Sequence, residues 1–183
     1  MKTILTVAKD LLVQGIREDS IVADFTMGNG NDTLFLSSLV PKGHVYAFDI
    51  QPQALENTQK RLKEHGASEN VSLILDSHHN LERYIPGGID AGMFNLGYLP
   101  HGDPSLTTRR ETSLPAVQKA VERLNPRGVV VVVVYPGHEE GRLEGEALQE
   151  MAKGFDPEVY DATVFRIVNI PHCPYVVAVE RRR

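Results

Sequence analysis

The segment Asp24-Phe25-Thr26-Met27-Gly28-Asn29-Gly30-Asn31-Asp32-Thr33 follows an apolar run and leads into a helical pattern. Glycines at 28 and 30 let a backbone turn tightly and approach a ligand, and the amides at a helix start favour an anionic or carboxylate group. Asp49 closes the next apolar run, 19 residues beyond Gly30. An acid at that spacing is placed to accept hydrogen bonds from two ribose hydroxyls. A plain strand-to-helix turn would account for the glycines, and a helix cap before Pro52 for Asp49. Together they point to a ribose-bearing cofactor. Three more polar segments stand after apolar runs: Asp76-Ser77-His78-His79, Asn95-Leu96-Gly97-Tyr98-Leu99-Pro100-His101-Gly102, and Tyr135-Pro136-Gly137-His138.

The elements that must position these residues read as an alternation. Ile4, Leu5, Ala8, Leu11, Leu12 and Ile16 recur at three- and four-residue spacing, which predicts an amphipathic helix over residues 3–16. Strands are expected at residues 20–25, 44–48, 71–75, 89–94 and 128–135. Helices are expected at 32–40, 52–65, near Leu81, across 105–124 and across 139–155. Strands and helices in alternation mean right-handed crossovers and a parallel sheet. Val129 to Val134 are six consecutive valines, apolar on both faces as a central, helix-covered strand should be. Runs at 163–170 and 175–180 are separated only by Pro171-His172-Cys173-Pro174, too short for a crossover helix, so the last two strands should be antiparallel. The expected class is α/β: a doubly wound, seven-stranded, mostly parallel sheet. In such a sheet ligands bind beyond the carboxyl ends of the strands, where every polar segment above falls.

Bulk composition narrows the setting. With 183 residues, 42% apolar and 23% charged, the chain fits one domain across residues 1–183. Its single cysteine, Cys173, excludes an internal disulfide or a cysteine-based metal cluster and points to a reducing compartment, here the cytoplasm. No apolar stretch approaches a membrane span, and residues 1–16 lack the apolar centre of a signal peptide. The net charge of −5 argues against broad electrostatic binding of nucleic acid. Local patches remain at Arg109-Arg110 and at Arg181-Arg182-Arg183, the latter read as a solvated tail. No metal site is expected.

The glycine loop and Asp49 do not by themselves separate a nicotinamide dinucleotide from S-adenosylmethionine, since both present a ribose. Thr33 stands where a dinucleotide fingerprint has its third glycine or alanine, which lowers the dehydrogenase reading. Residues 24–30, Asp49, Asp76-Ser77 and the segment after Phe94 together resemble the successive motifs of class I S-adenosylmethionine-dependent methyltransferases. More narrowly, residues 24–33, 94–100, 135–141 and Asn169-Ile170-Pro171-His172-Cys173-Pro174 resemble a small bacterial family long labelled putative rRNA methylase and later associated with methylation of tRNA 5-aminomethyl-2-thiouridine. That resemblance implies Met27, Asn29 and Asn31 around the cofactor's methionine end, Asp49 and Gln51 at its ribose, and Ser77 with His78 or His79 near its adenine, with Asp24, Gly28, Gly30 and Asp76 also among the cofactor-binding residues. It also implies tRNA as partner, through the wobble uridine of the anticodon loop, and leaves room for a homodimer.

For transfer itself, Asn95 resembles the first residue of the Asn-Pro-Pro-Tyr motif of amino-group methyltransferases, with Leu96-Gly97 in place of the prolines and Tyr98 retaining the aromatic. His138 is the candidate proton acceptor, since histidine titrates in the useful range. A helix-capping histidine is the competing reading. Gly97, His101, Thr107, Thr108, Arg109 and Arg110 form the expected substrate wall, with the arginines as phosphate contacts. Other readings are a methyltransferase for rRNA or for a small amine or hydroxyl compound, and a non-catalytic nucleotide-binding module.

Overall fold

In a computed structural model of the chain, residues 3–97 and 109–183 are described. Seven strands form one sheet in the order β3-β2-β1-β4-β5-β7-β6. The strands are β1 (Ile21–Asp24), β2 (His44–Asp49), β3 (Val71–Leu75), β4 (Ile89–Asn95), β5 (Leu124–Val134), β6 (Tyr160–Arg166) and β7 (Tyr175–Arg181). The helices are α1 (Ile4–Val13), α2 (Asn31–Leu39), α3 (Pro52–Glu64), α4 (Arg110–Glu122) and α5 (Glu139–Lys153), with a 3-10 helix at His78–Arg83. All pairings from β3 to β5 are parallel, and β7 runs antiparallel to both β5 and β6.

The valine run explains the two-sided core. Successive strand residues point to opposite faces, so Val130, Val132 and Val134 join Phe25, Phe48, Phe94 and the apolar faces of α4 and α5. Val129, Val131 and Val133 join Ile4, Ala8 and Leu12 of α1 and Leu36 of α2 on the other face. Because β5 lies between β4 and β7 and is covered on both sides, no position in the run can be polar without loss.

Neighbouring β1 and β4 are reached by chain travelling in opposite directions, β1 onward to β2 and β3, β4 onward to β5. The two sets of crossovers therefore part at their carboxyl ends and leave a crevice there. The glycine segment and Asn95 emerge on either side of it.

Three elements differ from the sequence expectation, the first being α1, which ends at Val13 rather than at 16. Strand β5 starts at Leu124 rather than 128, because the chain bulges: Ile89 pairs with Leu124 and Ala91 with Val129, and Arg127 takes a left-handed φ of 68° within the bulge. Strand β6 ends at Arg166, not at 170, although Val168 and Ile170 are apolar. Pairing sets its limits: Tyr160 stands opposite Arg181 and Arg166 opposite Tyr175, whereas Val168, 90% exposed, lies in the connecting turn. The start of the expected helix at 105 lies outside the described residues; the described helix begins at Arg110. Among the described residues, no helix is long and apolar enough to cross a membrane.

Val132 is fully buried while Val164 on the edge strand is 46% exposed. Val132→Thr should therefore cost about 1–3 kcal/mol, for burying a hydroxyl without a partner. Val164→Thr should stay within about 0.5 kcal/mol. Urea unfolding midpoints at unchanged slope check both.

Candidate functional site

The loop between β1 and α2 is built from below by a carboxylate. Asp24, the last residue of β1, has no exposed surface. Its Oδ2 accepts from the Thr33 hydroxyl at 2.6 Å and its Oδ1 from the Thr26 N–H at 3.1 Å, so it ties the start of the loop to the first turn of α2. Beyond β1 the backbone splays between its neighbours: Phe25 N donates to Met93 O and Met27 N to Phe48 O. Gly28 and Gly30 then take φ values of 51° and 77°, conformations that are costly for other residues. A Cβ on Gly30 would lie 2.9 Å from Thr58 of α3, so the glycine also permits close packing. Helix α3 clamps the loop from outside: the Thr58 hydroxyl donates to Gly28 O, Asn57 Nδ2 to Asn29 Oδ1, and Arg61 Nε to Asn29 O at 2.7 Å.

Asp49 faces this loop from the end of β2. Its Oδ2 accepts from Gly28 N and its Oδ1 from Gln51 N, each at 3.0 Å. A carboxylate has about four lone-pair sites, so these bonds fix its orientation and leave acceptor capacity. Burial pushes Asp49 above the usual carboxylate range, opposed by the N–H groups of Gln51 and Gly28.

At the third strand end, Asp76 accepts from Ser77 N and Asn80 Nδ2 through Oδ1 and from the Tyr84 hydroxyl through Oδ2. These bonds, those of Asn80 and Tyr84 foremost, hold its carboxyl below the usual range. Ser77 caps the 3-10 helix, accepting from His79 N. His78 Nδ1 lies 2.9 Å from the Phe25 carbonyl, which makes it the donor. Burial lowers the His78 pKa, so Nε2 is then a bare acceptor. His78 Nε2 and His79 Nδ1 are buried and have no hydrogen-bond partner among the described residues.

On the opposite wall, Asn95 N donates to the Thr26 hydroxyl at 2.8 Å, joining β4 to the loop. Its Nδ2 lies 3.4 Å from Asp32 Oδ2, and its side chain hydrogen-bonds the Tyr135 hydroxyl. Asp32 Oδ1 is paired with Lys9 Nζ of α1 at 2.9 Å. Burial first, then the charge of Asp32, raises the Tyr135 pKa. Gly97 lies beside this group: a Cβ there would come within 3.8 Å of the Tyr135 ring.

The structure thus brings Gly28, Asn29, Gly30, Asp49, Gln51 and Asn95 to one crevice, with the His78-His79 turn beside the loop. Three expected site residues are placed otherwise. Asp24 shapes the loop from beneath and has no surface to offer a ligand, and Met27, 2% exposed, packs with Ala47 and Ala54. His138 is the N-cap of α5, its Nδ1 accepting from Gly141 N at 3.0 Å, and its Nε2 is buried. That corrects the proton-acceptor expectation, because the ring nitrogen facing the helix is committed to an orphan amide and the other has no open surface. Arg109 is the N-cap of α4, and the Arg110 guanidinium stands 3.6 Å from Glu111 and 3.9 Å from Glu140. Tyr98, His101, Thr107 and Thr108 lie outside the described residues.

Sequence reasoning passed over Lys9, Thr26, Asp32 and Tyr135 as site residues. Asp32 and Tyr135 stood inside quoted motifs and their strand-end positions were the available signal. Lys9 gave none, being one lysine on an amphipathic helix.

S-adenosylmethionine fits this set by its chemistry. It carries a ribose diol, for which Asp49 has acceptor capacity, and a cationic sulfonium. The crevice is anionic: Asp24 is raised to about 7, by burial first, then by the charge of Asp32, with Asp49 adding to it.

A parallel sheet in this order with β7 inserted antiparallel, a glycine loop after β1 and an acid after β2 define a Rossmann-like methyltransferase. The comparisons refine the class. Residues 45–180 match the family described as Putative rRNA methylase. A crystal structure described as a putative rRNA methylase from Clostridium thermocellum is 41% identical, covers 99% of this chain and 98% of its own, and superposes with a TM-score of 0.96. A putative methyltransferase from Streptococcus mutans, solved in complex with SAH, is 38% identical, covers 99% of both chains and gives a TM-score of 0.91. A chloroplastic tRNA (mnm(5)s(2)U34)-methyltransferase of Arabidopsis thaliana is 36% identical over 180 residues, 92% of this chain. The chain spans 66% of that relative's length. The chain belongs to the Putative rRNA methylase family of S-adenosylmethionine-dependent methyltransferases.

Asp24 gives a stability prediction. Its pKa is raised from 3.8 to about 7 in the folded protein, so the folded state keeps a proton that the unfolded chain has lost. The contribution of Asp24 to stability should be fullest below about pH 4 and be lost as pH rises through about 7, by at most roughly 4 kcal/mol. In Asp24→Asn that slope should be absent, as urea titrations at several pH values would show.

Proposed function

We propose that this S-adenosylmethionine-dependent methyltransferase acts on the amino nitrogen of 5-aminomethyl-2-thiouridine at the wobble position of tRNA, giving the 5-methylaminomethyl form. The observation that carries the reading is the side chain of Asn95, held at the end of β4 against Asp32 and Tyr135. It presents hydrogen-bonding groups to a nitrogen nucleophile entering beside the glycine loop. The name of the Arabidopsis relative supports the nucleoside.

Bound S-adenosylmethionine supplies a methyl group already activated by its sulfonium. The protein's task is then alignment, and fixing a nucleophile in reach of the methyl is worth several kcal/mol. In this reading the amides at the start of α2 hold the cofactor's carboxylate. Asp49 and Gln51 take the ribose, and Ser77, His78 and His79 border the adenine. Asn95 orients the amine, with Gly97 beside it at the Tyr135 ring. Arg109 and Arg110 meet phosphates of the anticodon loop. A wobble base is single-stranded, so it enters without breaking a duplex. The one cysteine, Cys173, is free, which suits a reducing compartment such as the cytoplasm. The family's description favours rRNA as the second reading.

Nucleoside mass spectrometry after incubation with S-adenosylmethionine and tRNA bearing 5-aminomethyl-2-thiouridine should show one added methyl on that nucleoside. Methylation of rRNA with none on this tRNA would transfer the assignment to the second reading. Asn95→Ala should keep SAH affinity within about threefold and lower transfer by about 100-fold, an effect of a few kcal/mol on the barrier. Calorimetry and single-turnover rates separate the two effects.

A further inference from the structure

We infer that Asp32 is a catalytic residue: its carboxylate receives the substrate's amino group and takes the proton that the amine must lose before it can be methylated. The inference rests on the amine reading above and names the group that reading lacks once His138 is committed to capping α5.

A primary alkylamine is largely an ammonium near neutral pH and has no lone pair to offer. The site therefore needs an anionic acceptor that first attracts the cation and then removes one proton. Asp32 is in the right place. It lies in the first turn of α2, directly after the glycine loop, and its Oδ2 is 3.4 Å from Asn95 Nδ2. An amine held by Asn95 is therefore held at Asp32 also. The carboxylate's side chain keeps only 14% exposure, which limits competition from water.

The charged and titratable groups around Asp32 come from every element packed on it. Lys9 of α1 pairs with Oδ1 at 2.9 Å, Asp24 of β1 feels its charge from beneath, with Asp49 of β2 contributing there, and Tyr135 after β5 feels it from the far wall. Lys9 is a resident counter-ion. With its side chain 31% exposed and its ammonium also over the Phe35 ring at 4.7 Å, it can give way to a substrate ammonium of the same charge. Tyr135 is a positioning residue: its hydroxyl stands at the Asn95 side chain, whose Nδ2 faces Asp32.

The step balances. A proton leaves the ammonium nitrogen for an Asp32 oxygen, the nitrogen keeps the electron pair that becomes its nucleophile, and the carboxyl returns the proton to solvent. No oxidant, metal or second base is required.

The test is single-turnover methyl transfer from pH 6.5 to 9.5 by the full chain, wild type against Asp32→Asn, on tRNA carrying the aminomethyl nucleoside. SAH affinity is measured in parallel. Asp32→Asn should bind SAH within about threefold of wild type and transfer about 100-fold more slowly at pH 7. Its rate should climb about tenfold per pH unit toward the amine's own pKa, because solvent must now take the proton, while the wild-type rate is flat over pH 7–9. Tyr135→Phe, which leaves the ion pair intact, should lose about tenfold with SAH affinity unchanged. Wild-type rates and pH profile in Asp32→Asn, or a loss of SAH affinity that accounts for the lost rate, overturn the inference alone, as does a wild-type rate in Tyr135→Phe. A wild-type enzyme that binds SAH but leaves this nucleoside unmethylated overturns the amine reading and the inference with it.

Discussion

The arrangement at the carboxyl edge of the sheet depends on the buried carboxylate of Asp24. Removing a carboxyl group from water is expensive unless its lone pairs are satisfied, and Asp24 satisfies them with the Thr26 amide and the Thr33 hydroxyl. These bonds fix both ends of the glycine loop. Gly28 then presents its N–H to Asp49 and Thr26 presents its hydroxyl to Asn95 N. One burial constraint at the end of β1 thus sets the distance between loop, β2 and β4. The aromatic floor supports it: Phe25 stacks on Phe94 with centroids 4.3 Å apart, and His78 meets the Phe94 ring edge-on at 5.5 Å.

Electrostatics follow from the same placement. Three carboxylates gather round one loop: burial first, then the charge of Asp32 and to a lesser extent that of Asp49, raises Asp24 to about 7, so like charge adds to the cost of ionising it. A cation brought to the loop, such as a sulfonium, relieves that part of the cost. Lys9 offsets part of the charge on Asp32 without entering the loop.

The order of elements was legible because periodicity is a local property. The six valines of β5 and the alternating helices required a parallel sheet, and the short 171–174 link required an antiparallel end. Limits set by pairing were not legible: β6 stops at Arg166 because β7 begins opposite it, although the apolar pattern runs on to Ile170. Positions set by the backbone, the left-handed turns at Gly28 and Gly30 and the place of Asp49 at the end of β2, could be read from type and spacing. Roles that depend on which way a side chain turns could not. His138 after a strand is equally a base or a cap until Gly141 N is seen on its Nδ1. Lys9 becomes part of the site only because α1 packs across the sheet next to α2, a long-range contact that leaves no mark in its neighbours along the chain.

The central claim is that the loop and Asp49 form one cofactor-binding unit, in which Asp49 both fixes Gly28 and takes the ribose. Calorimetric titration of SAH into wild type and Asp49→Ala tests it most directly, with circular dichroism to confirm that both are folded. The account predicts that the folded variant loses SAH affinity by about 100-fold or more, through the loss of both charge-assisted bonds to the ribose and of the loop's anchor. A folded Asp49→Ala that binds SAH as tightly as wild type would contradict it.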